Sequence, residues 1–589
     1  MKTFKLPDKN ISREAKDFIS MLESRLPDRF LPLRPNQGEA IYLIVKYIQE
    51  VDNIFLDCPT GSGKSLIAVA SAEMCDAPFY LCTFVNGLID QYMRDFELDC
   101  IRGRANYDCS LMPGIHAGIA KCKFDAKFRD NCVEYLKGNC AYYNAVERAE
   151  ASPKVLTTPQ YIFRRVGGMG GLTHRPVVII DEGHNTESFF RDLTGITITE
   201  SRWEKYGLDG QFEDTISAIR GYKNDDVILD EWIDVLRIMI VGANEAIERA
   251  RASMRFVKDN MFYEEDDDNE ELRELERDVI HANSFVKEAE TMLFYQEQGG
   301  IFVIGYGYSN GGRAHVELKP VNIYDFGEKL LDTVADKRIF MSATIPRPPQ
   351  VFSQALGIDE DNCIAIQVEE HPFPVENRIV NKRYAGSMVR KHINKTKPKM
   401  LGLIEDIMLE HDKRGLILPY THELKKYFSE NMNSRLSGRL FFNDNYRVAL
   451  EEFLNSSRKD AVLISTVNEG LDLHGDLAEF LIIPKVPYPN INDSYVKKRM
   501  KTAYCNTCKR IYIPDKKNNN CETCGSAIKR VGQAWYNGQV AITVVQMCGR
   551  ATRNPDEKTY IAILDSAFED WLRRGNRKIL PKWFLESLK

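Results

Sequence analysis

Eight short apolar runs punctuate the chain: Asn53 to Leu56, Phe79 to Cys82, Val177 to Ile180 and Arg338 to Met341 in its first part, then Gly415 to Leu418, Ala461 to Ile464, Phe480 to Ile483 and Tyr560 to Leu564. Helix-like stretches separate them, which is the pattern of buried parallel strands joined by helical crossovers. The two sets predict an α/β fold class with two doubly wound domains, divided near the proline-rich Pro346 to Gln350. Two stretches interrupt the first set. Residues from about 102 to 148 are polar and cysteine-rich, and those from about 199 to 300 are helix-forming and highly charged. The acidic run from Glu264 to Glu271 reads as a solvated loop between helices.

Composition narrows the class. At 589 residues the chain is too long for one hydrophobic core and suggests roughly three or four domains. Apolar residues make up 43% and charged residues 28%, a globular balance that leaves little room for extensive disorder. A net charge of −6 gives no whole-molecule attraction for nucleic acid, so any phosphate contact has to come from a local basic groove. Met1 to Asn10 lacks an apolar leader segment, and no run approaches the roughly 20 apolar residues of a membrane span. The expectation is an intracellular protein without a membrane partner, cytoplasmic or nucleoid-associated, or nuclear in a eukaryote.

The first apolar run leads into Cys58-Pro59-Thr60-Gly61-Ser62-Gly63-Lys64-Ser65 and then into the helix-like Leu66 to Met74. A strand, a glycine-rich loop and a helix in that order form a phosphate cradle. The glycines let backbone N–H groups close around phosphates, Lys64 neutralises the β- and γ-phosphates of ATP, and the Ser65 hydroxyl suits Mg²⁺. The run Val177 to Ile180 ends in Asp181-Glu182-Gly183-His184, two carboxylates at the carboxyl end of a buried strand, where open α/β sheets bind ligands. Asp181 is expected to hold Mg²⁺ through its water shell and Glu182 to orient or deprotonate the attacking water. A lone acidic pair after a strand is usually a helix cap, but with the upstream loop it completes a nucleotide site. In the second domain, Gln546 to Arg553 offers Arg550 and Arg553 three residues apart. Alone they are a surface charge patch; in a two-domain ATPase they are cations that reach the γ-phosphate from across the seam.

Taken in order, these motifs resemble the XPD/DinG group of superfamily 2 helicases. Leu33 to Gln37 looks like the adenine-side motif, with Gln37 on the nucleotide. Tyr80 to Phe96 is similar to motif Ia, and Asp181 to His184 to a DEAH box with Gly183 in place of Ala. Leu318-Lys319-Pro320 with Phe340 to Thr344 resembles the segment ending in motif III. His371-Pro372-Phe373-Pro374 resembles the family's SPFP segment, with His371 in the serine position. Arg414 to Tyr420 resembles motif IV, Asn468 to Asp472 with Gly475 motif V, which adds Gly470 and Asp472 to the nucleotide side, and Gln546 to Arg553 motif VI. The resemblance spans about Arg34 to Asp565. It implies two RecA-like motor domains, an Arch-like insertion at the charged helical interval, and 5′-to-3′ movement on single-stranded DNA. From residue chemistry alone, Thr83, Thr158 and Ser465 suit phosphates, while Tyr161 or Tyr420 either stack on bases or belong to the core.

The chain contains 14 cysteines, eight of them in two local groups with metal-ligand spacing, which fits a reducing compartment. Cys58, Cys75, Cys82, Cys100, Cys363 and Cys548 are scattered and read as small buried apolar residues. Cys109, Cys122, Cys132 and Cys140 provide the four thiolates of a [4Fe-4S] cluster, with a tetrahedral zinc site as the physical alternative. The resemblance favours the cluster, because Gly103 to Tyr107 before Cys109, between motifs Ia and II, looks like the opening of the family's iron-sulfur domain. Cys505, Cys508, Cys521 and Cys524 form two Cys-x-x-Cys knuckles, a zinc ribbon on spacing alone. It reads as a structural staple, although Lys497, Lys498, Arg499, Lys509 and Arg510 nearby have the charge to touch phosphates.

The expected division is motor domain 1 in three parts, 1–100, 149–198 and 301–345, with an iron-sulfur insertion at 101–148 and a helical insertion at 199–300. Motor domain 2 then covers 346–589, with the ribbon at 501–530. The expected activity is ATP-driven DNA unwinding on single-stranded and on forked or tailed duplex DNA, in repair, replication or recombination. A translocase or RNA-directed remodelling ATPase, and a mainly architectural subunit, are the alternatives.

Overall fold

The computed structural model describes residues 1–7, 11–123, 126–166, 172–207, 210–222, 224–260, 270–309, 312–466, 473, 475–515, 518–550 and 555–589. All eight apolar runs are strands. In the first domain they enter an eight-stranded, wholly parallel sheet whose spatial order is Lys2–Leu6, Cys363–Val368, Asn53–Asp57, Ala335–Ser342, Arg175–Asp181, Phe79–Thr83, Lys154–Thr157 and Asp99–Cys100. Asn53–Asp57 and Phe79–Thr83 are buried along their whole length, which is why both read as continuous apolar runs. The second domain is a six-stranded parallel sheet ordered Val380–Gly386, Tyr560–Asp565, Phe480–Ile483, Gly415–Ile417, Val462–Ile464 and Leu440–Phe441.

Two expected boundaries shift. Cys363–Val368 lies beyond Pro346 yet pairs with Asn53–Asp57 on one side and Lys2–Leu6 on the other, so the first domain extends at least to Val368. Pro346 to Gln350 only leads into the helix Gln350–Leu356. The helical insertion is also wider than 199–300. Its long helices Asp225–Asn260 and Glu270–Glu297 pack with Glu200–Tyr206 and Phe212–Arg220 around Trp203, Trp232, Phe285 and Met292. An antiparallel sheet of Ile196–Thr199, Ala314–Pro320 and Phe302–Tyr308 closes that same core, so the unit runs from 196 to 320.

In the cysteine-rich insertion, Cys132 precedes the short helix Val133–Leu136 and Cys140 precedes Ala141–Ala151. The ribbon is a small antiparallel sheet of Arg510–Tyr512, Ala503–Cys505 and Lys529–Arg530. No helix among the described residues is long and apolar enough to cross a membrane.

Candidate nucleotide site and cysteine centres

The phosphate loop links the strand Asn53–Asp57 to the helix Lys64–Met74, with Gly61 at φ +83° and Gly63 at φ +73°. Only glycine holds that left-handed backbone without strain. Neither position has room for more: a Cβ on Gly61 would meet the Phe373 ring at 2.2 Å and one on Gly63 the Gln37 amide at 2.1 Å. Gln37 Nε2 donates to Gly63 O (3.3 Å), its Oε1 accepts from the Arg34 amide (2.7 Å), and Arg34 also reaches Gly61 O. The segment Leu33 to Gln37 therefore touches the loop directly. Lys64 Nζ lies 3.4 Å from Cys58 O.

Asp181 ends its strand at 3% exposure. Burial, joined by the adjacent Glu182 and opposed by Lys64, raises its carboxyl to about 6. Tyr92 donates to its Oδ2 (3.0 Å) and the Glu182 amide to its Oδ1 (2.9 Å). Glu182 takes φ +51°, a strained conformation for a non-glycine residue that turns the chain sharply after the strand. Gly183 follows because its Cβ position lies 3.0 Å from Phe340 Cβ and 3.3 Å from Phe340 Cα, too close for an alanine unless the neighbouring strand gives way.

A hydrogen-bonded chain then crosses between domains. Ser342 donates to Glu182 Oε2 (3.4 Å) and pairs with His184 Nδ1 (2.7 Å) and Thr344 Oγ1 (3.1 Å). On the far side of the imidazole, His184 Nε2 meets Gln546 Nε2 of the second domain at 2.7 Å, an amide–imidazole pair in which the Gln546 amide donates. Gln546 lies near the end of the helix Gly532–Cys548, and the Cβ position of Gly549 comes within 3.5 Å of Thr60 Oγ1 on the phosphate loop. Arg550 is the next residue. Arg553, Gly470 and Asp472 lie outside the described residues.

Behind the loop is a group that sequence reading missed. Arg347 bonds Asp57 (2.6 Å) and Glu369 (3.1 Å), joining the root of the loop, the segment after Thr344 and the end of Cys363–Val368. Burial raises Asp57 to about 6 although Arg347 opposes it. Asp57 and Arg347 are 290 residues apart, and no local pattern signals such a contact. His371, in the serine position, is driven down to about 3 by burial, with Arg378 and Lys64 contributing, and its Nδ1 accepts from the Phe373 amide (3.1 Å). It is a neutral prop for the Phe373 ring.

Among the described residues, only Cys505, Cys508, Cys521 and Cys524 bring three or more ligand atoms within 4.8 Å of one another. Their Sγ pairs stand 3.6 Å and 3.7 Å apart. A tetrahedron with metal–sulfur bonds of about 2.3 Å has edges of about 3.8 Å, so the thiols fit a single ion. Cys109, Cys122, Cys132 and Cys140 instead surround one apolar pocket, lined also by Leu111, Met112, Phe128, Tyr135 and Tyr143, and their sulfurs are not gathered as closely as those of the ribbon. Four half-buried thiols spread around an apolar cavity suit a group larger than one ion.

Comparison with known proteins agrees with this layout. Residues 405–587 match the helicase C-terminal domain family, and residues 30–204 match the family described as type III restriction enzyme, res subunit. The chain is 20% identical over 572 residues to the ATP-dependent DNA helicase YoaA of Haemophilus influenzae, covering 82% of this chain and 86% of that protein. It is 24% identical over 321 residues to a regulator of telomere elongation helicase 1 homolog of Drosophila willistoni, covering 49% of this chain but only 30% of that protein. A solved XPD helicase superposes with a TM-score of 0.57 at 16% identity, covering 93% of this chain and 98% of that one. The Xpd4 structure from S. tokodaii gives 0.52 at 15% identity over 94% of this chain. Together these matches support an XPD/DinG-like superfamily 2 helicase.

In this XPD/DinG-like chain the expected nucleic-acid contacts are only partly available. Tyr161 is buried and its hydroxyl pairs with Tyr142 (3.0 Å), so it is a core residue and not a stacking platform. Thr83 is fully buried and accepts from the Val85 amide (3.3 Å), and Thr158 caps the helix Pro159–Arg165. Tyr420 is half-buried at φ +68°, three residues beyond the end of the strand Gly415–Ile417. Three of the five cations near the ribbon have partners within the protein or are buried: Arg499 is buried, Lys498 Nζ reaches Phe302 O (3.4 Å) and Lys509 pairs with Asp359 (2.6 Å), whereas Lys497 and Arg510 are exposed.

Proposed function

We propose that the chain is an ATP-dependent DNA helicase that couples hydrolysis to 5′-to-3′ movement along single-stranded DNA and so unwinds tailed or forked duplexes. The observation that carries the reading is the Gln546–His184 hydrogen bond, which ties the second domain's terminal motif to Ser342 and Glu182 in the first. A site divided between two domains changes as they close, and this is how hydrolysis is converted into relative domain movement. DNA as the substrate rests on the curated relatives, whose names describe DNA helicases.

Each residue has a role under this reading. Gln37, Thr60, Gly61, Ser62 and Gly63 cradle the nucleotide, and Lys64 offsets phosphate charge, with Gly470 and Asp472 completing the nucleotide side. Ser65 and Asp181 would hold Mg²⁺, which supplies charge neutralisation at the phosphates. Glu182, held by Ser342 and aligned through His184, accepts the proton of the attacking water. Arg550 and Arg553 stabilise charge on the transferred phosphoryl group. Cys505, Cys508, Cys521 and Cys524 would hold zinc, and Cys109, Cys122, Cys132 and Cys140 a [4Fe-4S] cluster. The proposed division is motor domain 1 to about 370 with the cysteine-rich and helical units inserted, then motor domain 2 with the ribbon.

Strand displacement with ATP on 5′-tailed and 3′-tailed DNA duplexes, with RNA counterparts, tests the reading. Release from the 5′-tailed DNA alone is the expected result. Release from 3′-tailed duplexes only would overturn the polarity, RNA-only activity the substrate, and ATP hydrolysis without displacement the unwinding.

A further inference from the structure

The segment that carries the ribbon also crosses the seam between the domains. The helix Ser494–Met500 lies just before the ribbon, and Thr186–Thr194 begins two residues after His184. These two helices meet in two rungs. Arg499 Nη2 bonds Glu187 Oε1 at 2.7 Å, with the side chains 3% and 11% exposed. Four residues away on each helix, the Arg191 guanidinium lies 3.4 Å from the centre of the Tyr495 ring. Spacing of i to i+4 on both helices places the rungs one turn apart, so together they fix rotation as well as distance.

The ribbon holds Arg499 in place. Thr502 Oγ1 donates to Arg499 O (2.7 Å), while Thr502 O accepts from the amides of Val531 and Gly532 (3.1 and 3.2 Å), at the far end of the ribbon excursion. Gly532 opens the helix that ends near Gln546, and its Cβ position lies only 2.3 Å from Met500 O and 2.4 Å from Arg499 O. On the opposite side, Lys509 pairs with Asp359, and Tyr504 and Tyr324 hydroxyls meet at 3.3 Å. Two knuckles closed on one ion would thus pin the crossing of two chain segments.

Stability alone does not account for this pair. Nε and Nη1 of Arg499 are buried without hydrogen-bond partners, and a buried ion pair with unsatisfied donors is a poor source of net stability. Such a pair defines an arrangement. We infer that Arg499 is a positioning residue for ATP hydrolysis: held by the ribbon, it reaches across the seam and sets the helix that follows Asp181–Glu182. The inference rests on the proposed ATPase reading.

The test uses the full chain. Wild type, R499M, R499K, E187Q and the R499M/E187Q double variant are compared by ATPase kinetics with saturating single-stranded DNA, and by hydrogen exchange of amides 183–194. R499M is expected to lower kcat about tenfold with KM for ATP changed less than about twofold, because a displaced helix misplaces a catalytic carboxylate without touching the nucleotide. R499K, which keeps the charge, recovers most of the rate, and the double variant is no worse than the poorer single one. Exchange in 183–194 rises in R499M and in the ribbon variant C508S. If R499M shows no cooperative melting, R499K and E187Q carry the comparison. Unchanged kcat in R499M and E187Q, multiplicative losses in the double variant, or unchanged exchange would overturn the inference. A wild type without nucleic-acid-stimulated ATPase would overturn the function as well, whereas an active wild type with silent variants overturns only this step.

Discussion

Replacing Gly61 by alanine isolates the contact between the phosphate loop and Phe373. Two penalties combine at this residue. At φ +83° an alanine sits in left-handed backbone, which costs about 1–2 kcal/mol. Its Cβ would also lie 2.2, 2.8 and 2.9 Å from three carbons of the Phe373 ring. The ring cannot swing aside, because Phe373 is 4% exposed and packs at 5.0 Å against His371, which in turn packs at 5.1 Å against Trp583. Overpacking of that kind costs about 1–3 kcal/mol. If even the lower sum of about 2 kcal/mol falls on the loop geometry needed for phosphate, ATP affinity drops by roughly thirtyfold. Gly63→Ala is the comparison: at φ +73° it carries the same backbone penalty, but its Cβ meets the end of the Gln37 side chain, held there by a 3.3 Å hydrogen bond, and not a packed ring. Titration with a fluorescent ATP analogue, alongside thermal melting, measures both. Affinity of Gly61→Ala within about threefold of wild type, or a Gly63→Ala defect larger than that of Gly61→Ala, would refute the reasoning.

Glu182→Gln should bind ATP normally and turn over slowly, and loss of binding in the same titration would contradict its role on water. Gln546→Ala should lower nucleic-acid-stimulated ATPase more than basal ATPase, since it removes a hydrogen bond from the second domain to His184; equal losses would argue against coupling. Asp181 titrates near 6 in the folded chain and near 3.8 unfolded, so its contribution to stability is fully present below pH 3.8 and lost as pH rises through 6. Melting of metal-free Asp181→Asn between pH 4 and 6.5 should therefore show a flatter pH slope than wild type. Cys132→Ser should remove broad visible absorbance and iron while retaining zinc, measured by spectroscopy and elemental analysis; zinc without iron in the wild type would refute the cluster.

Much of this was legible because the features are local. The eight apolar runs became strands since burial on both faces demands unbroken apolar sequence, and the knuckles of Cys505 to Cys524 reveal themselves by spacing. What escaped depends on pairing across long separations. Lys2–Leu6 is a sheet strand because Cys363–Val368 lies beside it, and so short and largely exposed a segment gives no sign of that. The domain boundary was misplaced for the same reason: prolines at Pro346, Pro348 and Pro349 look like a linker, whereas membership of a sheet is decided by partners. Asp57, Arg347 and Glu369 come together only after the fold exists, and Tyr161 was assigned to the core only by its neighbours.

The placement of Cys363–Val368 between Lys2–Leu6 and Asn53–Asp57 bears on how the chain is made. Two strands at the beginning wait for a partner that leaves the ribosome about three hundred residues later, some 15–60 s at ordinary synthesis rates. During that interval the cysteine-rich and helical units, each contiguous in sequence, can close first. The phosphate-loop strand would be left with an exposed edge until the missing neighbour arrives. An unpaired apolar edge of this kind recruits foreign strands, so nascent chains halted before residue 363 should depend on chaperones, and those halted after about 410, with the neighbour clear of the exit tunnel, should not.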